Sequence, residues 1–314
     1  MKKILFIFGL SILSACASSP PTSHLSLNKA RLGHAVVSAN DDIYVIAGSD
    51  RHRYLDSVEK VNLESQNVSL LEIKLTPRQY VTAVNDGNGN IYVMGGVSHF
   101  KVQGDVCNPQ VEILNTQTGE ILYGPPMPNP RRGASAVRIG NKIYVIGGSI
   151  VIQKPAPHIA ASAKVDILDI KTQTWSEGAE LPQAIETKAV VYNGQIYVVG
   201  GYNFVSSLPI FAKYDPESNT WERLENLPKV TSAESAIVVN DKLITFGDYG
   251  ERDRVMMYDF KTHVWQQRGD LNLRPSRHQG VTQVNDSIYV IGGTGNGKDS
   301  LEDIQIFPVS SFAQ

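Results

Sequence analysis

Two sets of residues in this chain have types and spacing suited to chemistry. The tighter set lies in Gly247-Asp248-Tyr249-Gly250-Glu251-Arg252-Asp253-Arg254, where Asp248, Glu251 and Arg252 fall within five positions. A carboxylate that exchanges a proton, beside a cation that fixes an anionic group, is the minimum equipment for general acid–base transfer. The second set is spread along the chain: Arg31 and His34, Arg78 and Tyr80, Arg131 and Arg132, Glu186, Glu234, and Arg277 with His278. Each member sits just before an apolar segment, so a fold that gathers those segments gathers these residues too. Cations at four of these places and acids at two predict a polarised surface suited to an anionic or polyhydroxylated ligand.

Other chemistries find little support. The sequence has no phosphate-binding glycine loop, no His-Glu-x-x-His and no Gly-x-Ser-x-Gly elbow. The run from Asp86 to Asn90 has the look of a calcium loop, but it falls at a turn between two apolar segments and lacks the later Glu. His52, His99 and His158 are too far apart in sequence to mark a metal site. No metal and no cofactor is expected.

What must position the candidates is a repeat. Ile43-Tyr-Val-Ile-Ala-Gly48 recurs as Ile91-Tyr-Val-Met-Gly-Gly96, Ile143-Tyr-Val-Ile-Gly-Gly148, Ile196-Tyr-Val-Val-Gly-Gly201 and Ile288-Tyr-Val-Ile-Gly-Gly293, with an altered copy at Leu243-Ile-Thr-Phe-Gly-Asp248. The last position of the motif falls at 48, 96, 148, 201, 248 and 293, a period near 50 residues. Before each copy comes another apolar run and a tight turn such as Asn193-Gly194, which is hairpin chemistry. After it come a variable loop, a third apolar run such as Val165-Asp-Ile-Leu168, and a fourth opening at Trp175, Trp221 or Trp265. Val68 and Ile121 hold the tryptophan position in the first two copies. No stretch carries a helical period, so the chain reads as all-β.

Six copies in register resemble the kelch repeat across nearly all of the chain after residue 23. The resemblance implies a six-bladed β-propeller of four-stranded antiparallel blades around a central channel. The glycines then serve close backbone approach and the tryptophans pack between blades. The last copy has only three strands, ending at Asp303-Ile-Gln-Ile-Phe307, while His24-Leu-Ser-Leu27 stands unassigned before the first. That N-terminal stretch is expected to complete blade six and remove an exposed edge. The lead-ins to the inner strands then ring one mouth of the channel, the face that ligand-binding kelch relatives commonly use. The altered fifth copy also resembles in part the bacterial sialic acid mutarotases, which use a Glu and an Arg. This implies acid–base roles for Asp248 and Glu251 and a carboxylate-pairing role for Arg252.

The N-terminus reads as a targeting segment: Lys2 and Lys3, an apolar run from Ile4 to Leu13, then Leu13-Ser14-Ala15-Cys16. This resembles the bacterial lipobox, which implies lipidation of Cys16. The expected division is a signal peptide over residues 1–15, a lipidated tether over 16–23 and one propeller over 24–314. Export and membrane anchoring through the lipid follow, to an outer membrane given Ala17 after the cysteine. Losing Lys2 and Lys3 takes the formal charge from −2 to −4, without long runs, so no nucleic-acid partner is expected. Cys107 is the one cysteine left, so stability must come from a core and not from a disulfide. The leading expectation is a monomeric recognition module for a glycan, peptide or protein. The alternative is a mutarotase acting on a sugar acid.

Overall fold

The computed structural model describes residues 25–297 and 299–313, so Cys16 and the segment around it lie outside the described residues. Six four-stranded antiparallel sheets form the blades of a propeller, and two two-stranded hairpins rise from blades two and three. The inner strands are Ala35–Ala39, Thr82–Asn85, Ser135–Ile139, Glu186–Tyr192, Ser235–Val239 and Gly280–Val284. Each is followed by one copy of the Ile-Tyr-Val motif or its variant, as in Asp42–Ile46 or Gln195–Tyr202. Left-handed residues close the inner turns, Asn193 at φ 48° before Gly194 and the pair Asn240 and Asp241 at 48° and 59°. Asp86 caps its own turn through the N–H groups of Asn88 (2.7 Å) and Asn90 (3.0 Å), so this run shapes a hairpin.

Ring closure follows the sequence expectation. Ser26–Arg31 pairs antiparallel with Leu301–Pro308 and supplies the outer strand of blade six. Leu27 is buried there with Ile43, Val45 and Val61 of blade one and Ile291 and Ile304 of blade six. The hydrophobic core is in fact six seams, each between neighbouring blades; one joins Val37 and Ile46 to Val81, Ile91 and Val93. The tryptophans serve these seams: Trp175 donates to the Pro125 carbonyl (3.0 Å) and Trp221 to that of Ala179 (2.8 Å).

Leu27→Ala should destabilise the chain by about 2–4 kcal/mol, the usual cost of a buried Leu that leaves a cavity. Deleting Ser26–Lys29 should cost more, because a ladder is lost with it. Chemical denaturation measures both, and a truncated chain as stable as its parent would show that the ring closes without this strand.

Candidate functional site

The six lead-ins to the inner strands are built alike. The backbone N–H of the motif's second glycine reaches across the seam to the carbonyl that opens the next lead-in: Gly48 to Arg78, Gly96 to Arg131, Gly148 to Ile185, Gly201 to Thr231 and Gly293 to Arg31, at 2.8–2.9 Å. This registers Arg31, Arg78, Arg131, Ile185, Thr231 and, in blade six, Ser276 as equivalent first positions. The third position is left-handed in five lead-ins, at Gly33, Tyr80, Gly133, Ala233 and His278 (φ 55–62°). Their backbones form an arc around the head of the channel: His278 N–H to Ala233 (2.8 Å), Gly33 to His278 (3.1 Å), Tyr80 to Gly33 (2.6 Å) and Gly133 to Tyr80 (2.9 Å). A glycine at 33 lets its flanking neighbours meet, and the Tyr80 and His278 rings touch edge to face at 5.3 Å.

First-position arginines do not face the mouth, contrary to the sequence expectation. Arg31, Arg78 and Arg131 are fully buried, paired with Glu59, Glu112 and Asp166. Each guanidinium also donates to backbone carbonyls of its own blade, as Arg131 does to Val145 (3.0 Å) and Gly147 (2.7 Å). The cause is an acid on the third strand of the same blade, aimed at the lead-in. His34 is likewise turned inward: its Nε2 meets the Ile291 carbonyl at 3.1 Å, and burial drives its pKa down to about 3.

The mutarotase set also lies elsewhere. Asp248 is 3% exposed and takes the N–H groups of Ser232 (3.0 Å), Glu251 (3.1 Å) and Gly250 (3.2 Å), with Arg254 at 3.4 Å. It shapes the loop that its siblings shape with glycine. Glu251 pairs with Arg254 (2.7 Å) and Lys229 (3.5 Å), and Arg252 donates to the carbonyls of Gly295 and Gly297. None of the three lines the mouth.

The remaining candidates do converge. Tyr80, Arg132, Glu186, Glu234 and His278 line a cavity of about 180 Å³ at the mouth, with Arg277 at its rim. The sequence reading missed Lys188, Tyr202, Phe204 and Tyr249, which line it as well. Tyr202 and Tyr249 each follow the motif's last position, so their place was open to inspection. Two guanidiniums sit over tyrosine rings, Arg132 over Tyr80 at 3.8 Å and Arg277 over Tyr249 at 4.0 Å. Arg132 also stands 3.6 Å from Glu186, which accepts the Ser149 hydroxyl at 2.5 Å. Tyr202 and Phe204 form a tilted aromatic pair at 5.2 Å.

A neighbouring groove of about 430 Å³ shares Tyr80 and Arg132 with the mouth. Its floor holds Asp105, which meets His99 Nδ1 at 2.9 Å and accepts the Tyr54 hydroxyl at 3.2 Å. Burial, then Asp105, pushes the Tyr54 hydroxyl up to about 12. Among the described residues no three His, Cys, Asp or Glu side chains gather as metal ligands.

Residues 33–248 match the family model described as the KLHDC2/KLHL20/DRC7 Kelch-repeats domain. The chain belongs to the kelch-repeat family. Kelch-like protein 23 of Mus musculus is 26% identical over 227 residues, which cover 69% of this chain and 37% of that protein. Beta-scruin of Limulus polyphemus is 27% identical over 252 residues, covering 78% of this chain and 26% of its own. Kelch-like protein terF of Aspergillus terreus is 28% identical over 190 residues, 55% of this chain and 41% of that one. This kelch chain therefore spans well under half the length of these relatives. Kelch propellers typically mediate protein interactions.

Arg78→Met should lower stability by about 3–5 kcal/mol, because it leaves Glu112 buried and unpaired. Restoring stability by the further change Glu112→Met would confirm the pairing; an Arg78→Met chain as stable as its parent would refute it. A second expectation concerns Glu234, whose pKa burial raises from 4.5 to about 7. Between those values the unfolded chain has shed a proton that the native state keeps, so stability falls as pH rises through the window. Glu234→Gln should therefore gain on its parent from pH 4.5 to 7, reaching an advantage of about 3 kcal/mol above it. Denaturation at the two ends of that window checks this; a pH-independent difference contradicts it.

Proposed function

We propose that this kelch propeller is a recognition module that reads a glycan, peptide or protein ligand at the mouth, between blades two and six. The observation that carries this is the mouth cavity itself. It combines aromatic faces with the charged side chains of Arg132, Glu186 and Lys188, and with Glu234, whose carboxyl oxygens make no hydrogen bond among the described residues. Apolar bodies with a few convergent polar groups are what specific ligand sites require. Around it Tyr202, Val205, Val230 and Tyr249 are exposed, an apolar collar on which a larger partner can rest.

The reading includes export and anchoring through a lipid on Cys16, supported by the order Leu13-Ser14-Ala15-Cys16 after a short apolar run. The tether of small and polar residues would leave the propeller free of the membrane surface. No helix among the described residues is long and apolar enough to cross a membrane.

Screening the purified chain against glycan and peptide arrays should return ligands whose binding falls tenfold or more in Arg132→Ala and Tyr249→Ala. Leu122→Ala and Tyr123→Ala, exposed on the outer strand of blade two, should bind as the parent does. Equal loss in both pairs would move the site away from the mouth. For the anchor, Cys16→Ser should abolish lipid labelling and membrane fractionation; an unchanged mature mass and fraction would remove the lipidation reading.

A further inference from the structure

The arc of backbone hydrogen bonds around the channel head has a gap at blade four. It runs through Ala233, His278, Gly33, Tyr80 and Gly133, and among the described residues no bond joins Thr187 to Gly133 or to Ala233. Thr187 lies in an extended strand whose register shifts between Glu186 and Lys188, and its hydroxyl turns to the carbonyls of Val199 (2.9 Å) and Gly200 (3.0 Å). At this gap the mouth cavity meets the axial channel, a space of about 150 Å³, and Lys188 lines both.

Buried polar atoms without hydrogen-bond partners belong to residues lining these two spaces: both carboxyl oxygens of Glu234 at the mouth, and Gln279 Oε1, His34 Nδ1 and the Ser235 hydroxyl at the channel. Two of them can only accept, while the Ser235 hydroxyl and, below pH about 7, the Glu234 carboxyl can donate as well. The His34 Nε2 faces a carbonyl and so carries the proton, which leaves Nδ1 as a bare lone pair. The Gln279 amide N–H is given to the Phe246 carbonyl, which leaves its oxygen. An acceptor buried without a donor costs about 1–3 kcal/mol, so these groups favour an occupant that donates. That occupant meets Lys188, which acts on both His34 and Glu234 and stands across from the Arg132 guanidinium. A cationic donor would face like charge from these, and an anion would face the lone pairs.

We propose that this neck is a subsite for vicinal hydroxyls of an uncharged sugar whose ring rests on the aromatic wall of the mouth. The assignment rests on the mouth being the recognition site and names the chemical class that enters it. Carboxyl oxygens of Glu234 accept from the hydroxyls, Gln279 and His34 offer acceptors deeper in, and Tyr202 and Phe204 supply the apolar face. His34 stays neutral across physiological pH, with its pKa near 3, so its lone pair persists.

The test is a binding series by saturation-transfer NMR and calorimetry, with neutral hexoses and inositol set against their amino and uronic acid counterparts and against primary carboxamides. Neutral polyols should bind, with the amino, acid and carboxamide probes at least tenfold weaker. Glu234→Leu, which replaces an unpartnered carboxyl with an apolar side chain and so should fold, should lose about tenfold in polyol affinity. Lys188→Met should let the amino sugar bind as the neutral one does. Polyols that bind equally to Glu234→Leu, preference for a charged or carboxamide probe, or a neck that holds water alone would overturn the proposal. The mouth reading is judged separately: array ligands lost with Tyr249→Ala but untouched by Glu234→Leu would keep the mouth and discard the neck.

Discussion

Crowding at the axis governs this molecule. Six inner strands converge on one narrow channel, so many of the residues that line it are small: Ala35, Ala83, Ala134, Ala136, Ala189, Ala236 and Gly280. A Cβ at Gly280 would overlap Val36. With little room at the centre, apolar mass moves outward into the seams between blades, where Tyr44, Tyr144 and Tyr214 are buried. The same crowding brings backbones into contact at the mouth. A Cβ at Gly148 would stand 2.7 Å from the Arg132 carbonyl, so the motif's last glycine is a packing requirement before anything else. Side chains with freedom to meet a ligand are therefore those one step away, in the lead-ins and just beyond the glycines.

The fold was legible because its period is long and its strands repeat in register; even the borrowed strand at Ser26–Arg31 could be placed from a missing fourth copy. The site was legible only in part. Arg31, Arg78 and Arg131 looked like ligand residues because an arginine at a strand start is ambiguous by itself. The deciding signal sat in the third strands of the same blades, where Glu59, Glu112 and Asp166 each interrupt an apolar run. In blades four to six the equivalent places hold Ala212, Met256 and Gln305, and the first lead-in position holds no arginine. Arginine and acid come and go together, a correlation within one chain that reading each lead-in alone does not reveal. Lys188 was invisible for another reason: it follows a register shift near the start of its strand, which no local pattern announces.

The propeller is thus two unlike halves. Blades one to three carry buried ion pairs and the two raised hairpins; blades four and five carry most of the mouth's free polar groups and its aromatic wall. Breaking a buried pair is expensive, so the first half is poorly suited to adaptation. In the second half the one such pair among the described residues, Asp248 with Arg254 at 3.4 Å, belongs to a loop, where the carboxylate also takes three N–H groups. Specificity can vary there without disturbing what keeps the ring together.

The strand shared by the two ends of the chain also sets a clock. Ser26–Arg31 has its ladder partner in Leu301–Pro308, so that pairing must wait until those residues have been made. The entropic cost of joining ends so distant grows only slowly with length, by about 0.6 kcal/mol per doubling. What the arrangement divides is timing: Arg31, which belongs to that strand, pairs with Glu59 of blade one only 28 residues along the chain. The same strand thus serves blade one early, through contacts close in sequence to Glu59, Ala47 and Ser57, and blade six late, when Leu301–Pro308 arrives beside it.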